Sequence, residues 1–150
     1  MSFQEKNFTA SLVTFVLILG FYLIRLFQII QGGNFNSASV IRLWGFVIAF
    51  AVVGTILVTI FTHILSVITN AIKTSEEDPK IEDIQDERDQ LINLRGTKVT
   101  YSVSSIGVFT MLTFAFVQPP LVMFSLLIFF GIFAQIVGDI SSLVLYRRGF

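Results

Sequence analysis

The sequence contains no cysteine, a single histidine and few charged residues. Without cysteine the chain can form no disulfide, thiol nucleophile or cysteine-ligated metal site. Only 13% of the 150 residues are charged while 54% are hydrophobic, so a polar shell of the kind that covers soluble domains cannot be built. The formal net charge is zero, and no basic patch indicates a nucleic-acid partner. These deficits exclude an ordinary soluble domain and favour an integral membrane protein.

Four apolar stretches are present instead, at about residues 8–30, 40–72, 99–117 and 121–145. Each reaches the roughly 20 residues that a helix needs to cross a bilayer. The sequence therefore predicts an all-α, integral membrane, antiparallel four-helix bundle in a single transmembrane domain. The second stretch is longer than a bilayer requires, so it should tilt or project into water. The first is too long for the apolar region of a signal peptide, and we expect it to be an uncleaved span.

The connections and the basic residues predict the orientation. Gly32 and Gly33 should stop the first helix, and Pro119-Pro120 should form a tight reversal. Eight of the ten Lys and Arg residues fall on the side that holds both termini and the segment of about residues 73–98. The positive-inside rule then places both termini and that segment, a cytoplasmic helical loop, on the cytoplasmic side of the cytoplasmic (inner) membrane.

Polar side chains inside the spans form a candidate pocket. The rise of an α-helix predicts that Asp139 on the fourth span and His63 on the second lie at similar depths from the cytoplasmic boundary. A carboxyl group in hydrocarbon should turn toward a partner within the bundle, and the pair could exchange a proton or hold a cation. The alternative is a structural hydrogen bond or ion pair. The predicted intramembrane pocket consists of His63, Asp139, Gln135, Ser66, Ser142 and Ser105.

Two stripes of small residues accompany this pocket. Thr55, Thr59, Thr62, Ser66 and Thr69 repeat at the spacing of one helical face, which favours either a polar pathway or a packing seam. Hydroxyl groups in spans can bond the carbonyl one turn back, which supports the seam. On the fourth span Gly131, Ala134, Gly138 and Ser141 should allow close approach of another helix.

The charged segment before the third span is the candidate for partner docking. Asp78-Pro79 should start a helix that runs toward the third span, with Gly96 as the expected kink or break. Its patchy apolar stripe could bind a protein partner or a second copy of the chain, although a solvated linker is the alternative. A divalent-cation site is disfavoured because the spacing of an EF-hand is absent. The basic residues suited to lipid head groups are Arg95, Lys98, Arg147 and Arg148, and Arg25 with Arg42 could form an anion site on the other side.

The run DERDQLINLRGTKVTY, residues 86–101, resembles a family of small, functionally uncharacterised four-span membrane proteins of bacteria and archaea. In that family an Asp-Glu-Arg triplet precedes an apolar-basic stretch leading into the third span, here Asp86, Glu87 and Arg88 with Ile92. The resemblance agrees with the four-span layout and gives the triplet more weight than an ordinary charged linker, and we take Asp86, Glu87 and Arg88 as the candidate docking residues. It implies no activity.

No enzyme signature, metal-ligand set or cofactor motif is present in the sequence. We therefore expect a small non-enzymatic membrane protein that acts by interaction through its acidic cytoplasmic helix, as a regulator or accessory subunit. The expected partners are membrane lipid, a cytoplasmic or membrane protein, or a second copy of the chain. The alternative function is a small proton or cation transporter, or a channel-like protein, that uses His63 and Asp139.

Overall fold

The part of the chain that the structure describes folds into four long α-helices. The computed structural model describes residues 3–74, 87–114 and 119–148, without the side chains of Phe3, Ser66 and residues 69–74. The helices are α1 (Phe3–Gln31), α2 (Ser37–Thr74), α3 (Glu87–Phe114) and α4 (Pro120–Arg148). The described residues contain no strand. The prediction of an all-α fold is confirmed.

Local signals account for the helix ends. Gly33 has a φ of 67°, and Asn34 donates its backbone N–H to the Ile29 carbonyl at 3.1 Å. This is the glycine-terminated helix end that the Gly-Gly pair predicts. The side chain of Asn36 accepts a hydrogen bond of 2.9 Å from the Ser39 amide, which caps the start of α2. The predicted helix start at residues 78–79, and the rest of 75–86, lie outside the described residues.

Successive helices run antiparallel and pack in the spatial order α2, α1, α4, α3. Helices α1 and α4 lie in the middle, α3 packs only on the outer side of α4, and α2 has few contacts with α4. The pairs Phe21–Phe50 and Thr14–Gly54 set the register of α1 on α2. The antiparallel four-helix bundle is therefore confirmed, with α1 and α4 as its central pair, α3 packed on α4, and α2 packed on α1 and more lightly on α4.

Three helices are long and apolar enough to cross a membrane: Gln4–Gln31, Ser37–Leu65 and Pro120–Arg148. Within the described residues α3 does not meet that standard, because its first part is charged and its described part ends at Phe114. The predicted third span ends at residue 117, which lies outside the described residues.

A dry apolar core joins α1, α2 and α4 in the half of the bundle away from the termini. It consists of Ile18, Tyr22, Leu43, Val47, Ile132 and Ile136, all buried. The Tyr22 hydroxyl donates a hydrogen bond of 2.6 Å to the Ser125 carbonyl. We call the end with residues Phe3, Thr74, Glu87 and Arg148 the charged end, and the other the opposite end.

Candidate functional site

Asp139 lies buried between the helices, on the side of α4 that faces α1. Only 2% of its surface is exposed. Its Oδ2 accepts a hydrogen bond of 2.7 Å from the Ser11 hydroxyl of α1, and its Oδ1 accepts one of 3.0 Å from the Gln135 side-chain amide one turn back on α4. The carboxylate is thus positioned by one contact within its helix and one across the helix pair.

Two cavities meet at Asp139. The first, about 170 Å³, lies between α1, α2 and α4, and the second, about 250 Å³, lies between α1, α3 and α4. The first is lined by polar side chains that include Asn7, Thr14, Thr55 and Thr59. The second is lined by Asn93, Thr97, Thr100 and Ser142 among others. Since a water molecule occupies about 30 Å³ of liquid, each cavity has room for several water molecules or a small hydrated ion next to the carboxyl group.

A close crossing of two glycines forms one wall of the second cavity. A Cβ built on Gly96 would fall on the Ser142 hydroxyl and lie 3.3 Å from the Gly138 carbonyl oxygen. One built on Gly138 would fall on the Thr100 hydroxyl and lie 3.2 Å from the Gly96 carbonyl oxygen. Helix α3 runs through Gly96 without a break, so the break expected as one alternative is absent, and a kink there stays a prediction. Because Gly96 has no side chain, α3 and α4 can pack closely at this position, as helices with small residues do in membranes.

The charge of Asp139 has no basic partner among the described residues. Both of its hydrogen-bond donors, Ser11 and Gln135, are neutral. An unpaired carboxylate is costly to hold away from water, and a proton, a bound cation or water in the two cavities would lower that cost. Among the described residues no three His, Asp or Glu side chains converge as metal ligands.

The structure brings together three of the six residues predicted for the intramembrane pocket. Asp139, Gln135 and Ser142 share the second cavity. Ser105 is exposed on α3 and donates to the Tyr101 carbonyl of its own helix at 2.8 Å. The side chain of Ser66 lies outside the description. His63, half-buried on α2, is absent from the lining of both cavities.

The level of α2 explains the position of His63. The α2 residues that face Asp139 across the first cavity are Thr55, Val58 and Thr59. His63 follows Thr59 by one helical turn, about 6 Å nearer the charged end. Equal depths for His63 and Asp139 require that α2 and α4 end at the same level at the charged end. However, α2 has 38 residues and α4 has 29. A direct pair of His63 and Asp139 stays a prediction.

Asp139 lies within about two helical turns of charged residues at the charged end. Its partner Ser11 follows Lys6 by five residues, about 7 Å of helix. On α3 the same level is that of Gly96 and Thr100, between which lies Lys98, an exposed side chain. Charged side chains of this kind stay within reach of water. The site therefore opens toward the charged end, and the apolar core containing Ile18 and Ile136 closes it toward the opposite end.

Sequence reasoning missed the contributions of α1 and α3. Asn7, Ser11 and Thr14 are spaced by four and three residues, and so are Asn93, Thr97 and Thr100, which is the spacing of one helical face. Each set lines one of the two cavities. This periodicity of polar residues is the signal in the sequence that indicates the cavity linings of α1 and α3. The Thr55 and Thr59 hydroxyls, which belong to the predicted stripe on α2, donate to backbone carbonyls one turn back, at 2.7 and 2.9 Å.

The start of α3, the predicted docking region, is joined to the end of α4. The Tyr146 hydroxyl donates to Asp89 at 2.7 Å, and Arg88 donates to the Tyr146 carbonyl at 3.4 Å. Ile92 is 1% exposed, so part of the apolar stripe is used inside the chain. Glu87 is exposed, and Asp86 lies outside the described residues. The side chains predicted for lipid head groups, all exposed, are Arg95, Lys98, Arg147 and Arg148.

Comparison with known proteins yields no family model, curated protein or solved structure that matches the chain. The resemblance carried by residues 86–101 stays a prediction, and the functional argument depends on the geometry of the site.

Proposed function

We propose that the protein is a small four-span carrier of the cytoplasmic membrane, which takes up a proton or a small monovalent cation at Asp139 from the cytoplasm. The observation that carries this proposal is the Asp139 carboxylate itself: buried, bonded only to neutral groups and flanked by two polar cavities. The excess of basic residues at the charged end supports a cytoplasmic location for that end.

The fourth span in this proposal is α3. Its second half packs on α4 through Gly107 and Met111, both buried. Its outer face presents Ile106, Phe109 and Leu112, each more than half exposed. Such a face suits contact with lipid, where no water has to be excluded.

A carrier fits the site better than an open channel does. The apolar core blocks a polar route from Asp139 to the opposite end in the described residues. Release on that side then requires α1 and α4 to move apart, so that transport should saturate with substrate and depend on a conformational change.

The test is flux in proteoliposomes made with the purified protein, Asp139→Asn or Glu87→Gln. A proton or alkali-cation gradient should drive saturable flux through the wild type and through Glu87→Gln, which removes an exposed carboxylate. Asp139→Asn should abolish it, because an amide cannot exchange a proton or neutralise a cation. Equal flux through Asp139→Asn, or no flux through the wild type under any of these gradients, would refute the carrier.

Partner docking through the start of α3 is the second candidate. It is favoured by Leu91 and Leu94, which are 48% and 67% exposed beside the charged residues Glu87 and Arg95. Apolar side chains in that setting suit a cytoplasmic protein that packs against a helix face. In this role the protein is a regulator or accessory subunit without enzymatic activity.

A further inference from the structure

A large cavity lies at the opposite end, far from Asp139. It has a volume of about 510 Å³ and opens between the last turns of α1 and the first turns of α2. Arg25 of α1 and Arg42 of α2 both line it, together with Gln28, Asn34 and Ser39. We call this cavity the arginine cleft.

Among the described residues the two arginines have no acidic partner. The sequence contains no Asp or Glu between residues 6 and 75, nor between residues 90 and 138. Arg25 donates a hydrogen bond of 3.1 Å to the neutral Gln28 side chain, and its guanidinium lies 5.7 Å from the centre of the Phe21 ring. No described acidic side chain therefore neutralises either guanidinium group, and two positive charges in one cleft favour the binding of an anion from outside the chain.

The other wall of the arginine cleft is apolar. Phe21, Phe46 and Phe50 line it, and the Phe46 and Phe50 side chains are 55% and 53% exposed. The rings of Phe21 and Phe50 are in edge contact at 5.7 Å. From Arg42 to Phe50 the α2 helix descends by about 12 Å, so the apolar wall leads from the charged rim into the membrane-spanning part.

We propose that the arginine cleft binds an anionic phospholipid, with the phosphate between Arg25 and Arg42 and one acyl chain along Phe46 and Phe50. A planar guanidinium binds phosphate oxygens through paired hydrogen bonds. The apolar wall selects a lipid over a soluble phosphate, because a soluble anion would leave those rings unused. The proposal is independent of the chemistry at Asp139.

Trp44, the only tryptophan of the chain, packs on Phe124 of α4 and does not line the arginine cleft, so the test uses a Phe50→Trp reporter in a Trp44→Phe protein. The fluorescence of this reporter should be quenched by phospholipids with brominated acyl chains, titrated into protein in neutral-lipid nanodiscs. Phosphatidylglycerol should quench at roughly tenfold lower mole fraction than phosphatidylcholine, since each basic residue near a lipid surface contributes several-fold.

The matched variants change the same number of charges at the two ends. The pair Arg25→Gln and Arg42→Gln should lower the preference for phosphatidylglycerol to about that of phosphatidylcholine. The pair Lys6→Gln and Lys73→Gln, at the charged end, should leave it unchanged. A Phe46→Ala variant should weaken quenching by both lipids without removing the preference. Circular dichroism checks that each variant keeps its helices.

Three results would overturn the proposal. The first is equal quenching by the two lipids in the wild type. The second is an undiminished preference in the folded Arg25→Gln, Arg42→Gln protein. The third is displacement of the brominated lipid by millimolar inorganic phosphate or glycerol phosphate, which would assign the arginine cleft to a soluble anion.

Discussion

Replacing Gly138 by alanine tests the close crossing of α3 and α4 beside the candidate site. The added methyl group would meet the Thr100 hydroxyl and would lie 3.2 Å from both the Thr100 Cβ and the Gly96 carbonyl oxygen. Rotation of the Thr100 side chain can remove only the first contact, because Cβ and the backbone are fixed by the helix. The two helices must therefore separate.

The expected loss of stability follows from this geometry. Overpacking of a close contact costs about 1–3 kcal/mol, and two immovable neighbours place Gly138→Ala in the upper part, at about 2–3 kcal/mol. Alanine also stabilises a helix interior relative to glycine, by up to about 1 kcal/mol. Gly131→Ala has the same increase in helix propensity without any steric overlap, because nothing lies within 4 Å of its added methyl group. The difference between the two variants isolates the steric contribution.

Unfolding in mixed micelles, followed by circular dichroism as SDS is added, measures this difference. Gly138→Ala should unfold at a lower SDS fraction than Gly131→Ala, by about 2–3 kcal/mol in free energy. Thr100→Ala combined with Gly138→Ala should recover part of the loss, because the hydroxyl contact is gone and the Cβ contact remains. Equal stability of the two alanine variants would show that the helices do not cross at these glycines.

Two further predictions concern the buried tyrosine and the docking surface. Tyr22→Phe keeps the shape of the ring but leaves the Ser125 carbonyl without this donor, and should lower the free energy of unfolding in micelles by about 0.6–1.7 kcal/mol; a change above about 3 kcal/mol would contradict this assignment. Leu91→Ser with Leu94→Ser should reduce co-purification of a cytoplasmic partner from native membranes without loss of helicity, whereas Ile92→Ser should unfold the α3 start. Unchanged partners in the first variant would argue against docking there.

Local features of the sequence predicted the helices and their direction well. Apolar length predicted α1, α2 and α4, and the Gly32-Gly33 pair predicted the end of α1, since both signals act within one or two turns. The small-residue stripe on α4 predicted a close approach that Gly138 makes, although Gly131 faces open space. These properties depend on side-chain size and spacing, which a sequence displays directly.

The partners of Asp139 could not be predicted in the same way. Thr9 and Thr14 donate to carbonyls of their own helix, whereas Ser11 between them donates to Asp139. Nothing local distinguishes these hydroxyls, because the difference arises from the rotation of α1 against α4. The level of His63 depends on tertiary packing in the same way: the ends of two helices need not lie at one level, and the α2 residues that line the first cavity end at Thr59, one turn before His63.

The most direct test of the central claim is the infrared spectrum of the Asp139 carboxyl group. Difference spectra are recorded on purified protein in lipid as the pH is stepped, and again as one alkali cation replaces another. A carboxyl band that changes in the wild type and in Glu87→Gln, and is missing in Asp139→Asn, is the predicted result. A difference spectrum that is the same in wild type and Asp139→Asn under all these conditions would mean that Asp139 exchanges neither a proton nor a cation, and would contradict the account.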